Sequence, residues 1–445
     1  PGMKLLVVSY WYPPSISPRA FRWSALAELW AERGWEIDVV AGWSPGMARS
    51  ERMNGVRVFR PGFHLRGAAR GALGRLRGHV PGNADSSVAR ARVGPASGRV
   101  ARWVYERTVA RVYWPDDAGP WIAPAARLAG RLVRERRYDA LVTVSHPFSA
   151  HLVGGLVHGR MGSAPWLADV GDPFSFLAET PVNNHAIYGG LNRAAERRVL
   201  RRATAVAVTV EGARAAYAAL FPESAARIRV IPPLLAAPAP RPAPIFPRDG
   251  ALRLVFSGNL YARVRAPDFC LALFAALRER TERRVELHFF GNVRQCWESF
   301  APHRGEVDRS IFLHGVVDRA DALRAMRDAD ILVNLGNRTS YQLPSKTVEY
   351  MGSGKPVLNL VAGPHDTSAA FFAGYPAALT LAEEREATPA VVGRLAEWIA
   401  SAAPLPAAVV ERWTAPYRVE AVAAAYEALL VNRPAPAPRV PAGAR

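Results

Sequence analysis

Cysteine is almost absent from this chain, since Cys270 and Cys296 are the only two in 445 residues. They cannot supply a disulfide framework or a four-cysteine zinc site, so cysteine chemistry is not expected and a reducing compartment suits the chain. Long apolar runs are also missing. Stretches such as 203–208 and 356–362 fall well short of the roughly 20 residues that span a bilayer, so no transmembrane helix is expected. The chain runs from Met3-Lys4 into Leu5-Leu6-Val7-Val8, a strand-like run without the length or small-residue cleavage site of a secretory signal. The expected location is the cytoplasm. Acidic residues are few, 38 against 57 lysines and arginines, leaving a net charge of +19. That charge admits nucleic acid, an anionic membrane surface or a phosphorylated substrate, and does not choose among them. An arginine excess in an alanine- and proline-rich background also follows from a GC-rich genome. Aromatic and basic residues do not interleave on a recognisable nucleic-acid module, so no nucleic-acid partner is expected.

What is present is an ordinary globular composition, 50% apolar and 21% charged, long enough for two domains of about 200 residues each. Both halves open on a short apolar strand that ends in a polar loop, Lys4–Ser9 and Leu252–Ser257. After the first, Ala20–Arg33 has apolar residues at helical spacing, stops near Gly34 and yields to a strand over Glu36–Ala41, one βαβ unit. Further strands are expected at 56–60, 140–145, 166–169, 205–210 and 227–231, and in the second half at 285–290, 311–313, 331–335 and 357–360. Helices are expected at 268–279, 320–327, 345–353 and 416–430. This alternation predicts an α/β fold of two doubly wound parallel sheets.

The domain plan follows. Residues 1–235 form the first domain, in which the glycine- and arginine-rich stretch 62–98 reads as a basic insertion, either a solvated loop or a surface that meets a membrane or an acceptor. Seven of the sixteen residues from Pro232 to Pro247 are proline, marking a linker placed at 236–250. Residues 251–415 form the second domain, 416–430 a helix returning to the first, and 431–445 a disordered tail.

The most informative segment is Gln342-Leu343-Pro344-Ser345-Lys346-Thr347-Val348-Glu349-Tyr350-Met351-Gly352-Ser353-Gly354-Lys355-Pro356-Val357. It reads as a loop, a short helix begun at proline, a glycine stop and a buried strand. Backbone N–H groups near Leu343–Lys346, at the positive end of that helix, suit a diphosphate, and Glu349 one turn further in can accept hydrogen bonds from vicinal hydroxyls. The segment resembles the Pro-Ser-Lys-x-x-Glu-Tyr-x-x-x-Gly-Lys-Pro-Val stretch of GT-B glycosyltransferases, in particular the retaining group called family 4. The resemblance implies two Rossmann-like domains facing across a cleft, with Glu349 on the nucleoside ribose. Many members carry a second glutamate eight residues earlier that contacts the transferred sugar; here that position is Tyr341.

Other segments carry the same resemblance. Phe256-Ser257-Gly258-Asn259-Leu260-Tyr261-Ala262-Arg263-Val264-Arg265 is similar to the family's glycine loop with its downstream base. Without a metal, charge on a departing diphosphate must be met by fixed cations, and Arg263 and Arg265 are the candidates. Gly291 and Gly315 would line the nucleotide cleft, while His288 and His314 read as structural. In the first half, Val144-Ser145-His146-Pro147 and Asp169-Val170-Gly171-Asp172-Pro173-Phe174 resemble two more family segments, the second having glycine at 171 where arginine is usual. His146 and Asp172 are the candidate catalytic pair, able to orient or deprotonate an acceptor hydroxyl. Tyr12-Pro13-Pro14 resembles a family loop but lacks its glycine pair, and Arg19 and Arg22 beyond it are the acceptor-side candidates. Asp328-Ala329-Asp330 has the form of a metal-binding Asp-x-Asp, but it leads into a buried strand. No metal and no cofactor are expected beyond a nucleoside-diphosphate sugar as co-substrate.

The expected activity is transfer of a sugar to a hydroxyl of a cell-surface glycan, glycolipid or secondary metabolite, as in polysaccharide biosynthesis, with peripheral attachment to an anionic membrane through the basic surface. The alternative is a non-catalytic GT-B subunit that binds nucleotide or glycan.

Overall fold

A computed structural model of the chain describes residues 2–15, 17–62, 113–236 and 243–431. The insertion at 63–98, part of the linker at 237–242 and the tail from 432 lie outside the described residues. Among the described residues, no helix is long and apolar enough to cross a membrane.

Among the described residues the first domain has eight strands: β1 Lys4–Ser9, β2 Glu36–Val40, β3 Ser50–Met53, β4 Val56–Phe59, β5 Ala140–Val144, β6 Trp166–Asp169, β7 Ala205–Val208 and β8 Ile228–Val230. They lie in the order β3-β4-β2-β1-β5-β6-β7-β8. Leu6 and Val8 of β1 enter one apolar cluster while Leu5 and Val7 enter another. Since successive side chains of a strand point to opposite faces, both faces of this sheet are covered, which explains why its strands read as unbroken apolar runs. The parallel expectation fails at one edge. β3 pairs antiparallel with β4, because Asn54 and Gly55 between them both take positive φ, 46° and 85°, the conformation of a two-residue hairpin turn.

The second domain holds six strands: β9 Leu252–Ser257, β10 Val285–Phe290, β11 Ile311–Gly315, β12 Ile331–Leu335, β13 Val357–Val361 and β14 Ala378–Ala382. All pair in parallel, in the order β11-β10-β9-β12-β13-β14. In each sheet the winding reverses once, between β1 and β5 and between β9 and β12. Open α/β sheets bind ligands outside the carboxyl ends of strands at such reversals.

The helix at the end of the described residues returns to the first domain. The helix Val419–Val431 places Val422, Ala423, Tyr426 and Leu430 in the same core as Trp23 and Trp30 of the helix Pro18–Glu32. Pro416 lies just before it, in the 3-10 turn Ala415–Tyr417, so the helix starts three residues later than expected. Tyr426 donates its hydroxyl to Asp169 Oδ1 at 3.0 Å and accepts from Arg22 Nη2 at 2.8 Å and Nε at 3.0 Å. Burial comes first among the forces raising the Tyr426 pKa well above its ordinary value, so the hydroxyl keeps its proton. Arg22 also donates to the carbonyls of Pro232 and Ile231. Arg22, expected on the acceptor side, lines the cleft but is only 6% exposed, and its guanidinium joins the first helix, the linker and the helix Val419–Val431.

A Tyr426→Phe substitution removes that shared hydroxyl and leaves buried polar groups short of a partner. The expected loss of stability is about 1–3 kcal/mol, read from urea unfolding; a midpoint equal to wild type would show that this junction contributes little.

Candidate active site

The two domains enclose a cleft of about 1650 Å³ at the strand reversals. Its second-domain wall begins with two glycine loops. Gly258 follows β9 with φ 158° and Gly291 follows β10 with φ 144°. A Cβ on Gly291 would stand 1.8 Å from the carbonyl oxygen of Gly258, so this close approach demands glycine. Asn259 braces the pair by accepting from the Asn292 amide at 2.9 Å. Gly258, Asn259 and Gly291 all line the cleft.

The structure separates the two candidate cations. Arg265 lines the cleft, its Nε and Nη2 donating to Asn337 Oδ1 at 3.1 and 2.6 Å, and Asn337 in turn donates to the Gln342 carbonyl at 3.2 Å. Burial lowers the Arg265 pKa, yet a guanidinium that starts so high remains a cation at neutral pH. Arg263 is exposed and takes no part in the lining, because the turn joined by the Val264 amide to the Tyr261 carbonyl carries it outward.

Leu343, Pro344, Ser345 and Lys346 line the cleft around the start of the helix Thr347–Ser353. The helix is fixed from below by Tyr350, whose hydroxyl accepts from the Ser257 amide at 2.8 Å, and it ends at Gly354 with φ 67°. Glu349 faces the cleft with Lys346 Nζ at 3.3 Å and Arg319 Nη1 at 3.8 Å from its Oε1. Its Oε2 is buried and has no hydrogen-bond partner. Arg319 was not foreseen in the sequence. It is held by stacking over the Phe21 ring of the opposite domain at 4.4 Å, and no spacing signal connects residues so far apart.

On the first-domain wall, His146 follows β5 and Asp172 follows β6, with Nε2 and Oδ2 3.4 Å apart. Gln342 Nε2 reaches across from the second domain to donate to Asp172 Oδ1 at 2.8 Å. Burial acts to lower the His146 pKa, but hydrogen bonding and charge from Asp172 outweigh it and hold the imidazole above its ordinary value. Burial acts to raise Asp172, but His146, Gln342 and Arg19 outweigh that and bring it down to about 2. Arg19 pairs with Asp169 at 2.9 Å and donates to the Val170 carbonyl and Thr209 at 3.3 Å. A Cβ on Gly171 would lie 2.7 Å from Arg19 Nε. Arg19 therefore lies where a side chain at 171 would begin, the position at which the resembling family has its own arginine. Tyr341 donates its hydroxyl to Glu179 of the first domain and sets its ring edge-on to Phe176 at 5.5 Å.

Other candidates fall elsewhere. Asp328 and Asp330 sit at the amino end of β12, away from the cleft, accepting from the amides of Ile245 and Arg253. His288 and His314 are hydrogen-bonded to one another at 2.9 Å and packed among Phe246, Phe290 and Phe312.

Known proteins resemble this chain in sequence over the second domain and in fold over its length. Residues 251–384 match the family model described as glycosyl transferases group 1. No curated protein matches the chain. Among solved structures, sucrose-phosphate synthase from Thermosynechococcus elongatus aligns with a TM-score of 0.61 at 14% identity, over 96% of this chain and 98% of that one. The catalytic domain of starch synthase IV from Arabidopsis thaliana bound to ADP and acarbose gives 0.60 at 10%, over 97% and 99%. HepE of Anabaena in complex with UDP and glucose gives 0.52 at 12%, over 96% and 99%. The chain has the GT-B fold, and its second domain carries the group 1 match.

The placement of the two arginines yields a direct contrast. Arg265→Ala is expected to weaken binding of a nucleoside diphosphate by roughly 10- to 100-fold, the range for one lost charge-assisted hydrogen bond, while Arg263→Ala leaves it within about twofold. Titration calorimetry decides, and equal effects at the two positions would refute the assignment.

Proposed function

We propose that the chain transfers a sugar from a nucleoside-diphosphate sugar to a hydroxyl of a glycan, glycolipid or secondary metabolite, with retention at the anomeric carbon and with the chain's own cations in place of a metal. The supporting observation is Glu349: a buried carboxylate oxygen left without a partner is costly, and a ribose diol entering the cleft would satisfy it. The group 1 match over this segment supports the nucleotide, and the resemblance in its motif supports retention. The solved structures of like fold described with ADP or UDP in place support the same co-substrate.

In this reading Glu349 holds the ribose, and Arg265, Lys346 and the helix start at Ser345 hold the diphosphate. The bond from the anomeric carbon to phosphate oxygen breaks, and its electron pair leaves on the diphosphate, where fixed cations meet the new charge without reorganising. The acceptor oxygen forms the new bond to the anomeric carbon. Asp172 faces His146 Nε2 and holds a proton there, so in the neutral ring Nδ1 is the nitrogen that takes the proton of the acceptor hydroxyl. Tyr341 contacts Glu179 instead of leaving a glutamate of its own in the cleft, and this favours a second reading, a subunit that binds nucleotide without turnover. Assay against UDP-, GDP-, ADP- and dTDP-sugars separates the two: nucleotide binding with no hydrolysis or transfer would select the second.

Glu349→Ala should raise the dissociation constant for the preferred nucleoside diphosphate by roughly 10- to 100-fold, measured by calorimetry alongside the bare inorganic diphosphate, whose binding should not change. Unaltered nucleotide affinity would remove the ribose role.

The pH profile tests the dyad. A His146 pKa raised by Asp172 keeps the ring protonated to higher pH, so kcat/KM should climb through a midpoint above the ordinary histidine value. Asp172→Asn withdraws the raising charge and should move that midpoint to lower pH. A midpoint that does not move would exclude His146 as the group that takes the proton.

A further inference from the structure

We infer that the outer face of the helix His185–Arg202 is a docking surface for an anionic lipid bilayer. Ile187, Leu191, Ala194, Arg198 and Arg201 are spaced by four, three, four and three residues, so they form one stripe. The opposite side buries Asn192, Glu196, Val199 and Leu200 against the first domain. The stripe is open to solvent: Ile187 is 63% exposed and Leu191 50%. Arg198 and Arg201 are exposed, and neither forms an ion pair among the described residues. The only acidic residue of the helix is Glu196, and it is on the buried side at 2% exposure. Near the carboxyl end, Arg202 donates to the Gly155 carbonyl at 3.0 Å; its neighbour Leu156 is 57% exposed. The surface thus runs about 22 Å, from two large apolar side chains to a cluster of guanidiniums and a third apolar side chain.

The combination selects the partner. A polyanion such as nucleic acid would engage the arginines and leave Ile187, Leu191 and Leu156 in water. A bilayer with anionic headgroups takes both, with apolar side chains at the acyl boundary and guanidiniums at the phosphate level. No carboxylate on the stripe opposes such a surface.

The helix also connects this surface to the cleft. Glu196 accepts from the Phe174 and Ser175 amides at 3.0 Å each and from the Tyr217 hydroxyl at 2.5 Å, so the chain just after Asp172 is tied to the inner side of the helix whose outer side meets lipid. Combined with the proposed transferase activity, this places the acceptor side of the cleft toward the membrane and makes a lipid-linked acceptor the substrate class. The docking itself does not depend on that activity.

The test uses the full chain in co-sedimentation with phosphatidylcholine vesicles, with and without phosphatidylglycerol. Binding is expected only with phosphatidylglycerol and should fall as salt rises. Arg198→Gln with Arg201→Gln should lower partitioning by roughly 25-fold, from about fivefold per arginine, and Ile187→Ser with Leu191→Ser by about tenfold or more. All four positions are exposed, so unfolding midpoints and nucleoside-diphosphate affinity should match wild type, which separates docking from folding and from the donor site. Equal binding to both vesicle types, either double variant partitioning like wild type, or capture by nucleic acid without vesicle binding would overturn the proposal. Vesicle binding by a protein with no transferase activity would uphold the surface and remove the activity; transfer to soluble acceptors without vesicle binding would do the reverse.

Discussion

A buried carboxylate, Asp169, holds the first domain together at the carboxyl end of β6. It stands at the end of β6 at 2% exposure and collects Arg19 Nη1 at 2.9 Å, Trp23 Nε1 at 2.6 Å and the Tyr426 hydroxyl at 3.0 Å. Taking a carboxylate out of water costs several kcal/mol unless it is paired and hydrogen-bonded. Here the donors that offset the cost come from the first helix and from the last helix among the described residues. The same contact sets the polypeptide on its way to Gly171 and Asp172. Fold closure and site geometry thus rest on one group.

The domains are held at a definite spacing by polar contacts across the cleft. Gln342 to Asp172, Tyr341 to Glu179 and the Arg319 guanidinium on Phe21 all cross it. Gly212 marks how close the domains come, since a Cβ there would lie 1.8 Å from the Ser340 carbonyl oxygen. Fixed dipoles and charges act strongly only where water is excluded and the groups are already in place. Such a spacing turns Arg265, Lys346 and the His146–Asp172 pair into one site instead of two half-sites.

How much of this the sequence disclosed depends on what each feature needed. β1, β6, β9, β10 and β12 lie where the apolar runs predict them, because strands of a covered parallel sheet are continuously apolar and bounded by polar loops. Asn54-Gly55 is a strong hairpin signal, but the strand before it, Ser50–Met53, is polar and half-exposed and shows no apolar run. The helix His185–Arg202 is masked in a different way: its inner face includes Asn192 and Glu196, so apolar periodicity cannot reveal it. Motif reading brought Glu349 and Arg265 to the cleft but could not choose between Arg265 and Arg263. That choice depends on a turn at Tyr261–Val264. Arg22 looked like a free cation until its acceptors, Tyr426 and the linker carbonyls, came together from distant parts of the chain.

Two departures from the resembling family's pattern have a common physical form. Where an arginine is usual, the chain has Gly171, and the guanidinium of Arg19 occupies the adjoining space from the start of the first helix. Where many members of that family have a glutamate, it has Tyr341, whose hydroxyl holds the carboxylate of Glu179 from the other domain. Coulombic effects depend on where a charge sits and how it is solvated, not on which backbone position it hangs from. A positive and a negative charge are both kept near the cleft, so its balance survives the exchange. What changes is the mounting. A glutamate at 341 would be mounted on the second domain, whereas Glu179 is mounted on the first. Its distance from Glu349 and Arg265 is therefore set by the spacing of the two domains, so the charge balance of the cleft and that spacing are coupled.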